Sequence, residues 1–183
     1  MTHRPQLLSR RHFAMSLLAL PSLGLLPRRS LAQIGDGRRP LTLDARLTER
    51  RRRYHVGDAV SLLLRVNQDA QVAILNIDAA DRVTVLRPNR FAPSTHLTGN
   101  RWHQFPAQGA TFILRVDAPL GRNELRILAS ASLLSLPMLV RQGDGGFDRL
   151  EGGKPALDRF MAEQFGHAAT LLSESRIRFR VVA

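Results

Sequence analysis

Val60-Ser61-Leu62-Leu63-Leu64-Arg65-Val66 places an aliphatic side chain at every second position. An extended chain sends alternate side chains to opposite faces, so this period of two predicts a strand with one buried face. The turn signal Gly57-Asp58 precedes it. Upstream, Leu41, Leu43, Ala45 and Leu47 alternate with Thr42, Asp44, Arg46 and Thr48 in the same way. Downstream, Val72, Ile74, Asn76 and Asp78 alternate with Ala73, Leu75 and Ile77, so both faces carry apolar groups and a more deeply buried strand is predicted. Val83, Val85 and Arg87 follow, and Pro88-Asn89 ends that run. Thr111 to Val116 and Leu125 to Ala129 predict two more strands, parted by Pro119-Leu120-Gly121, whose glycine can supply a positive φ. Ile177, Phe179 and Val181 alternate with Arg176, Arg178 and Arg180 in a closing strand with a dry face and an arginine face. Closely spaced strands with turn residues between them predict a sandwich or barrel.

One helix interrupts this pattern. Gln142 to Gly146 and Glu151-Gly152-Gly153 read as loops, and Pro155 suits a first helical position. Leu157, Phe160, Met161 and Phe165 fall on one helical face, and Gly166 is placed to end it. The expected fold is therefore mainly β. It is an antiparallel β-sandwich over residues 41–183 with one C-terminal helix, about 155–166, packed on it.

The chain has 183 residues, 27 Lys plus Arg against 15 Asp plus Glu, and a formal net charge of +12. Lys154 is the sole lysine, so arginine dominates the charge. The sequence has no Cys, which excludes disulfide frameworks, Cys-ligated zinc, iron–sulfur clusters and thiol catalysis. Arg4, Arg10, Arg11, Arg28 and Arg29 precede residue 33, and no acid precedes Asp36. Beyond residue 32 the balance is 22 basic and 15 acidic residues, a net +7.

That basic, acid-free opening has the layout of a secretory signal: a positive start, an apolar stretch over residues 13–26, and Ser30-Leu31-Ala32 with small residues at alternate positions. The apolar stretch is shorter than the roughly 20 residues that span a bilayer. Pro21 and Gly24 break it further, so no permanent membrane anchor is expected. Ser9-Arg10-Arg11-His12-Phe13 resembles the twin-arginine export motif Ser/Thr-Arg-Arg-x-Phe-Leu-Lys, matching at Ser9, Arg10, Arg11 and Phe13, with Ala14 and Met15 in place of Leu and Lys. A general secretory signal with an incidental arginine pair is the alternative. The expectation is a signal peptide over residues 1–32 cleaved after Ala32, a short linker over 33–40, and a periplasmic or extracellular location. The export machinery is then the first expected partner.

Residues 54–130 carry Tyr54-His55-Val56-Gly57-Asp58-Ala59-Val60, then Asn76-Ile77-Asp78, then Val83-Thr84-Val85-Leu86-Arg87-Pro88-Asn89, Phe105-Pro106, Phe112, Pro119-Leu120-Gly121 and Leu128-Ala129-Ser130. This order resembles the bacterial domain-of-unknown-function family 4384, with its Tyr-x-x-Gly-Asp opening, a strand ending Phe-Pro-Asn and a late Pro-x-Gly. Arg87 stands where that family has Phe, and Ala80-Asp81-Arg82 where an Asp-Gly turn is common. The resemblance implies an Ig-like β-sandwich used as an accessory or binding module, and carries over no catalytic residues.

Candidate chemistry is sparse. His55, His96, His103 and His167 show no helical i, i+4 pair and no two-residue spacing on a strand, so no metal and no cofactor are expected. Asp144 has no oxygen ligand two residues on, as a calcium loop would require. Ser130, Ser132 and Ser135 lack the flanking glycines of a nucleophile elbow, so no catalytic residue is assigned. Two basic features suit an anion: the run Arg50, Arg51, Arg52 and Arg53, and the row Arg176, Arg178 and Arg180, about 6.6 Å apart along a strand face. A solvated arginine face is the plainer reading of both. Trp102 is expected to cover the sandwich edge, with partner contact as the alternative. The functional expectation is an exported non-catalytic module that binds an envelope protein or an anionic polymer. Nucleic acid is disfavoured as a ligand, with one Trp and one Tyr for stacking. A small secreted hydrolase with a site assembled across strands is the alternative.

Overall fold

A computed structural model of the chain describes residues 39–132, 140–141, 143–168 and 171–183. The expected signal motif (Ser9, Arg10, Arg11, Phe13), the cleavage position Ala32 and most of the 33–40 linker lie outside these residues. So do Ser135 and the side chains of Phe165 and His167.

The unit over residues 39–183 is mainly β and has three layers. The first is a three-stranded sheet in the order β1 (Leu43–Leu47), β3 (Leu62–Val66), β7 (Trp102–Phe105). The second is a large sheet in the order β2 (Arg53–His55), β11 (Leu172–Val182), β8 (Gly121–Ser130), β4 (Ala70–Ile77), β5 (Val83–Arg87), β10 (Asp148–Leu150), β9 (Val140–Arg141), with β6 (His96–Leu97) also paired to β4. The third is helix α1 (Gly153–Ala168). The two sheets form an open, sandwich-like pair.

The even and odd positions of β4 explain the layering. Val72 and Ile74 join Leu62, Leu64 and Val66 of β3 in the central core. Ala73, Leu75 and Ile77 meet Leu157 and Met161 of α1 on the other side. A strand covered on both faces has no polar face to show, which is why its sequence is apolar almost throughout. Along β8, Leu125, Ile127 and Ala129 enter the central core, so Glu124, Arg126 and Leu128 point to the helix side. By the same alternation Ile177, Phe179 and Val181 of β11 are dry, and Glu174, Arg176, Arg178 and Arg180 share the helix-side face.

Three expectations change. All pairings are antiparallel except β2 with β11, which run parallel. Residues 111–116 are extended but form no ladder. Val60 N–H donates to Leu114 O and Val116 N–H to Asp58 O, yet the opposing segment turns at Gly57 (φ 92°), leaving one isolated bridge, Ala59 to Arg115. The helix begins at Gly153 and runs through Gly166 to Ala168. Its start is fixed by contact with the β4–β5 turn. Lys154 N–H donates to Asp81 O at 2.9 Å, and a Cβ on Gly153 (φ 57°) would come within 2.6 Å of that oxygen. In the turn itself, Asp78 Oδ1 accepts from the N–H groups of Ala80 and Arg82, while Asp81 takes a φ of 58°. An aspartate thereby does there what a glycine does in the common Asp-Gly turn.

Candidate functional site

The helix-side face of β8 and β11 holds a charged cluster centred on Arg126. Its side chain is 1% exposed and lies among three carboxylates. Nη1 donates to Asp158 Oδ1 at 2.6 Å, Nη2 to Glu124 Oε1 at 3.1 Å, and Nε lies 3.2 Å from Glu174 Oε1. Each carboxylate has a second cation: Lys154 on Asp158 (2.5 Å), Arg178 on Glu124 (2.8 Å) and Arg176 on Glu174 (2.9 Å). Burial raises the Glu124 carboxyl pKa, but hydrogen bonds from Arg178 and Arg126 outweigh it and hold the group below its ordinary value. Asp158 follows the same balance, with Lys154 and Arg126 prevailing over burial. The Glu174 hydrogen bond raises the Arg176 pKa. These side chains line a groove of about 560 Å³ between α1 and β11. Arg126 fills the position between the carboxylates that a cation would take; among the described residues no group of three His, Cys, Asp or Glu is arranged to hold a metal.

One row further along the sheet the charges stop balancing. Arg180 is the register partner of Arg53 on β2 and of Arg122 on β8. Adjacent strands lie about 4.8 Å apart. Three arginines therefore stand side by side on one face, all exposed. No side-chain partner engages any of the three among the described residues. Like charges directly opposite one another destabilise a sheet, so the row is a local cost that the fold does not offset.

The sequence candidates thus separate. Arg53 and Arg180, from its two basic features, come together with Arg122, which the sequence reading did not single out. Arg176 and Arg178 are neutralised by glutamates. Arg51 is held by Glu49 and Asp58 and lies over the Tyr54 ring, 4.9 Å from its centroid. Arg50 and Arg52 are exposed. Trp102 covers no edge of the core: it projects from the outer face of β7, 43% exposed, with the Arg46 guanidinium 4.5 Å from its ring centroid. Aromatic packing against the core comes instead from Phe105, Phe112 and Phe147, with Phe91 stacked on Phe112 at 5.4 Å.

The histidines are dispersed. His55 lies 3.9 Å from Asp58, His96 3.9 Å from Asp69, and His103 Nε2 2.8 Å from Thr98 O. Ser130 Oγ faces Ser132 Oγ at 3.2 Å and accepts the Ser132 N–H. A second cavity of about 310 Å³ lies beside Tyr54, Pro106 and Phe112. Among the described residues no helix is long and apolar enough to cross a membrane.

Residues 53–132 match the family model described as a domain of unknown function (DUF4384). Those residues belong to the DUF4384 family. No curated protein and no solved structure matches the chain. The DUF4384 match spans β2 to β8 and so contains Arg53, Arg122, Glu124 and Arg126. Asp158, Glu174 and Arg180 come from α1 and β11, outside it. Both the salt-bridged cluster and the arginine row are thus joined across the boundary of the DUF4384 match.

Proposed function

We propose that this chain is an exported, non-catalytic β-sandwich module that binds an anionic component of the cell envelope, a protein or a polymer, through the row Arg53, Arg180 and Arg122. The observation that carries this reading is the pairing imbalance on one sheet face: Glu124 and Glu174 meet Arg178 and Arg176, while the next row has three exposed guanidiniums and no acid. Guanidinium forks match carboxylate and phosphate oxygens in bidentate fashion, so three in register offer a multidentate anion site. Export rests on the Ser9-Arg10-Arg11-x-Phe13 motif and the apolar stretch ending at Ala32, which together favour a twin-arginine signal and a periplasmic or extracellular location.

Retention on an immobilised polycarboxylate tests the binding reading. The triple variant R53Q/R122Q/R180Q should elute at distinctly lower salt than a control with the same charge loss at exposed positions elsewhere, R39Q/R101Q/R159Q. Equal elution of the two would show a diffuse charge effect and sink the reading. For export, R10K/R11K should leave precursor inside the cell; undiminished export would refute the twin-arginine assignment.

A further inference from the structure

We infer that the outer face of the three-stranded sheet is a second recognition site, for a sugar ring bearing a carboxylate, that is, a uronic-acid unit of an anionic glycan. In the β3–β7 register Trp102 stands opposite Arg65, and Leu63 opposite Gln104. Across β1, Asp44 stands opposite Arg65 and Arg46 opposite Leu63. All six side chains share the face turned away from the core, because Leu62, Leu64 and Phe105 at the alternate positions are buried in it.

Four of these residues supply complementary chemistry. The Arg46 guanidinium reaches from β1 to lie over the indole, 4.5 Å from its centroid, yet Trp102 as a whole remains 43% exposed. An exposed indole face is an apolar platform for the C–H face of a pyranose, and its rigidity keeps the entropy cost of stacking low. Among the described residues neither Arg65, beside it on β3, nor Arg46 has an acid partner, and Asp44 forms an ion pair with neither. Two guanidiniums without a carboxylate, Arg46 over the ring and Arg65 beside it, call for an anionic substituent on whatever stacks there. Gln104, two residues along β7, presents an amide that can both donate to and accept from hydroxyls. Polynucleotide binders place successive bases on successive aromatic rings, whereas this face offers a single indole, so an acidic sugar is the better fit.

Trp102 is the one tryptophan of the chain, so its fluorescence reports the site directly. The protein is titrated at fixed ionic strength with oligogalacturonate, with a neutral malto-oligosaccharide and with an oligothymidylate. A saturable fluorescence change is expected with oligogalacturonate alone. By calorimetry in the R53Q/R122Q/R180Q background, which removes the arginine row's own affinity for carboxylates, R65Q should weaken oligogalacturonate binding roughly tenfold, as loss of one charge-assisted hydrogen-bonding partner does. W102A should abolish it, W102F should restore part of it, and unchanged far-UV circular dichroism would show all three variants folded. The R53Q/R122Q/R180Q variant should respond as the parent does, which separates this site from the arginine row. No saturable change, an equal response to the neutral sugar, or an equal response to oligothymidylate would overturn the proposal. Loss of the response in the R53Q/R122Q/R180Q variant would overturn it too.

Discussion

Replacing Arg126 by methionine removes the central cation of the buried cluster while keeping most of its volume. Taking one partner from a buried ion pair typically costs about 3–5 kcal/mol, because the other charge is left uncompensated. Here the three carboxylates are not left bare: Arg178, Arg176 and Lys154 remain 2.8, 2.9 and 2.5 Å away. Asp158 is 44% exposed, so solvent screens much of its share. Methionine refills the space and keeps the cavity contribution small. The expected loss therefore falls below the usual range, at about 2–3 kcal/mol. For a chain of this size that is a drop of roughly 4–12 °C in Tm. Urea unfolding followed by circular dichroism, with the slope unchanged, is the assay. D158N alone should cost about 1 kcal/mol, and the two changes should be non-additive because they share one interaction. An R126M variant as stable as the parent would refute the reasoning. It would mean that a hydrophobic side chain holds α1 to the sheet as well as the ion cluster does.

The carboxyl groups of Glu124 and Asp158 sit below their ordinary values, so their contribution to stability is complete above the unfolded-state carboxyl pKa. It is lost as pH falls through the folded-state values, and unfolding midpoints measured from neutral to acid pH should fall less steeply for E124Q/D158N than for the parent. E124Q also releases Arg178 to join the neighbouring arginine row, so the salt needed to elute this variant from a polycarboxylate column should rise. G153A places a Cβ against Asp81 O in a left-handed backbone and should destabilise by more than about 1 kcal/mol, read from the same urea curves.

The strands that the sequence discloses are those whose two faces differ or whose both faces are apolar. Val60 to Val66 and Ile177 to Val181 show their dry positions by alternation, and β4 shows its double burial by lacking a polar set. The short strands β2, β6, β9 and β10 have two or three residues each, too few for a period to register. Residues 111–116 alternate well enough but lack a straight partner, and a partner is a tertiary fact. The arginine face was legible; its division into paired and unpaired rows was not. That division depends on Arg176 standing beside Arg126, Arg178 beside Glu124, and Arg180 between Arg53 and Arg122, a register that only pairing across distant sequence creates. Arg126 did leave a trace. An arginine between Leu125 and Ile127, facing the same way as Leu128, needs acids from elsewhere, and Glu124 two residues before it supplies the first.

The place of β11 between β2 and β8 bears on the order in which the molecule can be made. Tyr54 pairs with Val181 and Ser130 with Leu172, so the strand that joins these two regions emerges from the ribosome after both. Until then β2 has no neighbour in the large sheet and Arg126 lacks the Glu174 carboxylate. Such late, long-range pairing makes for slow completion of the fold. Translation thus acts as a clock on this sheet, and a nascent chain stopped short of β11 would carry an open β8 edge and an Arg126 lacking one of its three carboxylates.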